Sequence, residues 1–422
     1  MNNNTFLSQK LLCPSCEHVA TENKQDLSAF LCVSSMGQEA ATRDAICAMC
    51  GQKIEVFDST KEINLFLSAI NNPNIKVVAF TAPSIRTSIG EIFGAPTGTD
   101  LTNRMVGALK QVGVDFVFDM NFAADLTTVE EAAEFTARLK SGKNLPLLTS
   151  CCPAWVNFVT RAYPDLSGNL STCKSPQQMF GALLNTYFAN KLGVNNTSLF
   201  IVSIVPCLAK KLERLRPAIN SNKGFDVDCT LTTVDLGEIL KMQKIDLLAV
   251  NEMAYDSEFG LSSGAGVIFG NSGGVMEAVL SNAQKDSRDF SSKKLAFDLV
   301  RGKSGLREGA VSAFGKTFKI ACVSGLSNAK PLLDDVRAGK SPYAFIEVMA
   351  CEGGCVGGGG QPSIDSNERS QTIAKRAEGL YTRALKTNHK HASSNPAIKK
   401  LYKNFLGAPL SPTAEKILHT KF

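Results

Sequence analysis

AFIEVMACEGGCVGGGGQP, residues 344–362, is the stretch from which the rest of the chain can be read. The apolar run AFIEVMA predicts a buried strand. Cys351 and Cys355 follow it at once, accompanied by six glycines. Glycine has no Cβ and accepts positive φ, so such a run lets backbone approach a bulky guest closely. A flexible loop is also glycine-rich, but flexibility does not call for two cysteines directly behind a buried strand.

Working outward, short apolar runs alternate with helical periodicity from about residue 75. IKVVAF (75–80) predicts a strand and SIRTSIGEIF (84–93) a helix. VDFVFDM (114–120) precedes the helical TTVEEAAEFTARLK (127–140), and LPLLTS (145–150) precedes AWVNFVTRAY (154–163). SLFIVSIV (198–205), DLLAV (246–250) and FKIACVSG (318–325) continue the strand series, with the helical, glycine-containing GVIFGNSGGVMEAVL at 266–280. This alternation predicts an α/β fold of mainly parallel sheets flanked by helices. We divide residues 73–362 into two lobes with a junction near 190–200. Residues 281–308 and 363–395 read as surface helices and connections. Residues 363–422 form a C-terminal helical segment bracing the core, with two short helices around a proline-containing loop at 395–422. Residues 1–72 are a separate small unit, poor in strand signals and organised on two Cys-x-x-Cys pairs.

Composition narrows the function. With 44% hydrophobic and 20% charged residues over 422 positions, the chain has the profile of a globular protein. No apolar run reaches the length of a membrane span, and MNNNTFLSQK has neither a signal core nor an Arg-rich transit pattern, so the cytoplasm is the expected compartment. The formal charge of +6 is scattered rather than interleaved with aromatics, which argues against nucleic acid but suits an acidic protein partner. Thirteen cysteines in such a chain point to metal or redox chemistry rather than disulfides.

In open parallel sheets, sites gather at the carboxyl ends of the strands. Cys151 and Cys152 follow LPLLTS, Cys207 follows SLFIVSIVP, Cys351 and Cys355 follow AFIEVMA, and IKVVAFT ends at Ala82-Pro83. Cys152, Cys207, Cys351 and Cys355 can enclose one iron-sulfur cube, whose ligands are cysteine sulfurs that tolerate wide separation. Tetrahedral zinc is the rival, although structural zinc sites are usually two compact knuckles. Cys32, Cys173, Cys229 and Cys322 stand alone and read as small buried hydrophobes. Glu131, Glu134 and Arg138 share one helix face, which on spacing alone is most often solvated.

Three segments resemble the signature motifs of the FeFe (iron-only) hydrogenase family: TSCCPAW (149–155), VPCLAKKLE (205–213) and FIEVMACEGGCVGGGGQP (345–362). The resemblance covers residues 75–422 and includes APSIR (82–86), FAADLTTVEEA (122–132), STCKSPQQMFG (171–181) and the terminal ILHTKF. It implies reversible reduction of protons to H2 at an H-cluster enclosed between the lobes. That cofactor is a 4Fe-4S cube bridged to a two-iron subcluster carrying CO, cyanide and azadithiolate. By motif, Cys152, Cys207 and Cys351 hold the cube and Cys355 bridges to the two-iron unit. Lys210 would bind one cyanide, the other would meet Ala82 and Pro83, and Pro176, Gln177, Phe269 and Met349 would close an apolar pocket. Cys151 would be the nearest proton donor and acceptor, its ordinary thiol pKa of about 8.5 being open to tuning. The relay would run from Cys151 through a water to Glu131, Ser171, Glu134 and the surface, with Arg138 favouring ionisation of the outer carboxylate. Ferredoxin as electron partner and dedicated maturation proteins belong to the same implication.

Two positions depart from the family pattern: Val205 stands where methionine is usual and Ala209 where serine is common. Both changes would shift catalytic bias and inhibition rather than abolish turnover. The N-terminal unit keeps Cys13, Cys16, Cys47 and Cys50 but lacks the full ferredoxin-like cysteine runs. It is read as a zinc-ribbon-like or single-iron site, or as a degenerate ferredoxin-like domain. A non-catalytic iron-sulfur assembly or scaffold relative and a hydrogen sensor are the competing functions. The first usually lacks the equivalents of Cys151 and Lys210, and the second would carry an altered relay and a signalling domain.

Overall fold

The computed structural model describes residues 59–216, 224–284 and 305–422 in full, and the backbone alone at 33–36, 43–47, 53–56, 285–286, 290–291 and 298–299. Cys13, Cys16 and Cys50 lie outside these residues, and of Cys47 only the backbone is described. The N-terminal backbone forms a three-stranded antiparallel sheet, β1 (Val33–Met36), β2 (Arg43–Cys47) and β3 (Lys53–Val56), where the sequence shows little strand signal.

Two larger sheets form the core, with helices around them. The first contains β4 (Lys76–Thr81), β5 (Phe116–Asp119), β7 (Leu199–Val205) and β8 (Cys229–Thr232), ordered β5-β4-β7-β8 and wholly parallel. From Val77 onward every residue of β4 is buried, as expected of a parallel strand covered on both faces. The second sheet runs β10-β11-β12-β13-β6, joining β6 (Leu147–Leu148), β10 (Asp298–Leu299), β11 (Leu306–Ala313), β12 (Lys316–Ser324) and β13 (Tyr343–Met349), with β9 (Phe290–Ser291) also paired to β11. Its β12-β13-β6 portion is parallel and its β10-β11-β12 portion antiparallel. Alternation along these strands separates two cores: Leu148, Val323 and Ile346 pack with Trp155 and Leu332, whereas Leu147, Ile320 and Phe345 pack with Phe135 and Met276.

A junction near 190–200 does not divide the sheets. β7 and β8, beyond that point, complete the first sheet, while β6, before it, pairs with β13 in the second. Local patterning identifies parallel strands but not which neighbour a crossover delivers them to.

Two further expectations change. SIRTSIGEIF forms two 3-10 turns, Pro83–Thr87 and Ile89–Phe93. Here Arg86 Nε donates to Pro83 O and the Ser88 hydroxyl to Ser84 O, so side chains take carbonyls that an α-helix would use. DLLAV is a turn, because Asp246 accepts the Leu248 amide through its side chain and the Ala249 amide through its carbonyl.

The C-terminal segment wraps both sheets. Arg376, fully buried in the helix Arg369–Lys386, pairs with Glu91 and donates to the carbonyls of Val356 and Pro362 beside the cysteine-glycine loop. Asn395 donates to Asp125 on the long helix Asn121–Ser141. No helix among the described residues is long and apolar enough to cross a membrane.

Candidate active site

Four strand ends, two from each sheet, open on one cavity. β4 delivers Ala82 and Pro83, β7 delivers Val205, Pro206 and Cys207, β6 leads to Cys151 and Cys152, and β13 leads to Cys351 and Cys355. The cavity and its open mouth together span about 780 Å³ of space free of protein atoms. Pro176, Gln177, Lys210, Phe269 and Met349 line it too, so the structure brings together every residue assigned by motif to the cluster pocket. Ser84, Met120 and Gly270, to which the sequence assigned no role, also line it.

Local folding fixes each cysteine. Cys152 caps the helix Pro153–Ala162, whose first-turn proline needs no amide partner, and Trp155 donates to Thr149 O at 3.0 Å to lock the turn. Cys207 precedes the short helix Ala209–Glu213, which carries Lys210. The Cys351–Cys355 loop turns through Gly353 and Gly354 at φ +73° and +92°. A Cβ on Gly354 would fall 2.6 Å from Ser272 N, and one on Gly358 would fall 2.4 Å from Pro206 O. The glycine run thus serves close packing of protein on protein as much as approach to a guest: of the six, Gly354 and Gly358 line the cavity.

The thiols crowd one another. Burial first, then the neighbouring Cys351, Cys152 and Cys355, push the Cys207 thiol well above its ordinary range. Burial, with Cys152 and Cys351, lifts Cys355 to about 12. Four sulfurs in an apolar enclosure cannot ionise together without compensating positive charge, which multiple iron ions would provide. Four-thiolate zinc fills its own site, whereas this cavity continues past the sulfurs to Pro83, Pro176 and Phe269. The donor set and the space fit an iron-sulfur cluster with an attached group.

Lys210 Nζ donates to Cys151 O at 3.0 Å and to Glu213 Oε2 at 2.8 Å. That Glu213 oxygen also accepts from Ser175 Oγ and Gln177 Nε2, which makes Glu213 the hub that holds the ammonium at the cavity wall. Sequence reasoning missed Glu213, although a carboxylate three residues after Lys210 in a helical turn was a usable signal.

Cys151 faces different company from Cys152. Its thiol is raised well above its ordinary range by burial, then by the charge of Glu131, so it is held protonated rather than poised near neutrality. Glu131 is itself fully buried, and burial with the adjacent Glu134 raises its pKa to about 8. Its Oε2 is buried without a protein hydrogen-bond partner. The Ser171 hydroxyl eases Glu131 ionisation slightly but makes its short bond, 2.7 Å, to Glu134 Oε2. Glu134 also accepts the Thr172 amide at 3.1 Å and pairs with Arg138 at 2.7 Å. Cys173, which carried no predicted role, lies against Glu134 at 3.8 Å. The possible ligand atoms of Glu134, Cys173 and His419 fall within 4.8 Å of one another, but both His419 nitrogens already have hydrogen-bond partners. Glu347, buried in β13, accepts the amides of Gly273 and Met276 and is raised to about 7 by burial. A lone carboxylate in an apolar strand was its sequence signal.

The Glu131 shift has a pH consequence. A carboxyl whose pKa rises from 4.5 to about 8 on folding takes up a proton, so the folded state loses stability as pH climbs through that interval. Glu131→Gln should flatten this loss in denaturation curves recorded across the interval. A slope identical to the parent's would mean that the carboxyl is not held neutral.

Comparison with known proteins agrees with this geometry. The family described as "Iron only hydrogenase large subunit, C-terminal domain" matches residues 75–359, and "Iron hydrogenase small subunit" matches 370–422. The NADP-reducing hydrogenase subunit HndD of Solidesulfovibrio fructosivorans is 40% identical over 93% of this chain and 68% of its own length. Iron hydrogenase 1 of Clostridium pasteurianum is 38% identical over 84% of this chain, which spans 62% of that protein. A solved structure of a variant of the [FeFe]-hydrogenase HydA1 from Chlamydomonas reinhardtii superposes with a TM-score of 0.77 at 34% identity, covering 86% of this chain and 98% of that one. A protein named as a cytosolic Fe-S cluster assembly factor, narfl of Danio rerio, is similar at 28% identity over 82% of the chain and 86% of its own length.

Proposed function

The chain belongs to the iron-only hydrogenase family, and on that premise we propose that it catalyses the reversible reduction of protons to H2, exchanging electrons with ferredoxin. When bound, an H-cluster supplies the electrons and the site of H2 formation, as a 4Fe-4S cube bridged to a two-iron subcluster with CO, cyanide and azadithiolate. Cys152, Cys207 and Cys351 would hold the cube, and Cys355 would hold it together with the two-iron unit. Lys210, fixed by Glu213, would meet one cyanide through a charge-assisted hydrogen bond, and Ala82 and Pro83 would meet the other. Pro176, Gln177, Phe269 and Met349 close the pocket against water.

Protons move through the chain's own groups. The Cys151 thiol, protonated by its surroundings, gives its proton inward and is recharged from Glu131, one of whose oxygens is left without a structural bond. Ser171 passes the proton between Glu131 and Glu134, and Arg138 steadies the outer carboxylate near the surface. The positive net charge favours encounter with an acidic ferredoxin, and maturation proteins would load the two-iron unit.

The observation that carries this reading is Cys151. It lines the cluster cavity beside the four cysteines proposed as ligands, yet the side chain that most affects it is the buried Glu131, at the head of a carboxyl, hydroxyl and carboxyl series. An assembly factor has no use for such a series. The test is to load purified protein with a two-iron precursor, record CO and cyanide infrared bands, and assay H2 evolution from a reduced viologen. Bands with evolution support an enzyme. Bands without evolution would favour the assembly or sensor reading.

A further inference from the structure

Glu130 stands one residue before the inner relay carboxyl on the helix Asn121–Ser141 and faces the C-terminal segment instead. Fully buried, it accepts the Tyr402 hydroxyl at 2.5 Å and the Leu410 amide at 2.9 Å, and lies 3.1 Å from His419 Nε2. The other ring nitrogen, Nδ1, is 2.8 Å from Thr172 Oγ1. Against a carboxylate acceptor the ring carries its proton on Nε2, which leaves Nδ1 to accept from the Thr172 hydroxyl.

Thr172 matters because of its backbone. Its amide donates to both Glu134 oxygens at 3.1 Å, and the preceding residue is Ser171, whose hydroxyl donates to the same carboxylate. The chain here is also gripped from the C-terminus: Lys174 N donates to Leu418 O at 2.8 Å and Thr420 N to Thr172 O at 2.7 Å. One imidazole therefore ties the relay helix to the strip that presents Ser171 and the Thr172 amide to Glu134.

We infer that His419 is a positioning residue of the proton relay: through its Nδ1 bond to Thr172 it keeps Ser171 and the Thr172 amide seated on Glu134. The C-terminal segment thereby sets the rate at which protons pass the outer half of the path without touching the cluster. This rests on the relay reading above.

The two ring bonds can be separated, since asparagine places its amide near Nδ1 and glutamine near Nε2. In the cluster-loaded full chain, His419→Gln keeps the Glu130 side and loses Thr172, and should slow H2 evolution about tenfold, the scale of one lost buried hydrogen bond. His419→Asn keeps the Thr172 bond and should stay within about twofold of the parent. Thr172→Val should reproduce the glutamine variant. In all three, CO and cyanide bands and the KM for reduced viologen should match the parent, and a larger solvent deuterium effect should accompany the slow variants. Equal rates in both His419 variants, or a changed infrared spectrum, would overturn the inference. Glu134→Gln separates the two levels of the reading. If it leaves turnover intact, the relay assignment fails. If it slows turnover while His419→Gln does not, only the role of His419 fails.

Discussion

Cys151→Ala is expected to lower H2 turnover by about 10²–10⁴-fold, the range a positioned acid-base group contributes, while iron content and the CO and cyanide bands stay those of the parent. The reason lies in the surroundings of two adjacent cysteines. After burial, the group that most raises the Cys152 thiol is Cys351, as befits a ligand, whereas for Cys151 it is Glu131. Removing the Cys151 sulfur takes nothing from the four-thiol set but leaves Glu131 with no partner able to pass a proton inward. Serine at this position keeps a hydroxyl of similar reach and should also be slow, because a hydroxyl is a far weaker acid than a thiol and gives up its proton much less readily. Near-parental evolution with intact bands would show that protons reach the cluster by another path.

Cys355→Ala should have an effect of a different kind. The protein should fold and keep bound iron, but CO and cyanide bands should be absent after loading and H2 evolution should fall below detection. Cys355 lies where the glycine-lined loop turns toward Pro83 and Phe269, with Gly354 on one side packed on Ser272 and Gly358 on the other packed on Pro206. Those two close approaches hold the loop, and Cys355 with it, in place. Parental bands in this variant would remove the bridging assignment and shift it to another of the four cysteines.

The cysteines of this site were legible because each follows a strand, and strand ends in a parallel sheet are where loops converge. Other parts were hidden for physical reasons. Glu130 and His419 are 289 positions apart, and their 3.1 Å contact exists only once the C-terminal segment has wrapped the helix. β8, CTLT, and β11, half-buried in the antiparallel part of the second sheet, lack the apolar density that marks buried strands. The two-lobe division failed at its boundary because β6, two residues long, crosses to pair with β13. Glu131 and Glu134 look solvated by spacing and are buried, since the helix lies in the core from Asn121 to Ala132 and beyond that turns its Glu134, Phe135 and Arg138 face inward.

The cavity takes two strand ends from each of two sheets, so the four cysteines proposed as ligands line a space walled by separately packed cores. A group bonded to all four would act as a rivet, closing very long loops at a single point. Like any crosslink over a long loop, it would restrict the unfolded chain far more than the folded one. Opening the seam would then mean breaking metal-sulfur bonds. A chain built this way would gain durability from the same atoms that make it reactive, and damage to the cofactor would be felt as loss of shape as well as loss of turnover.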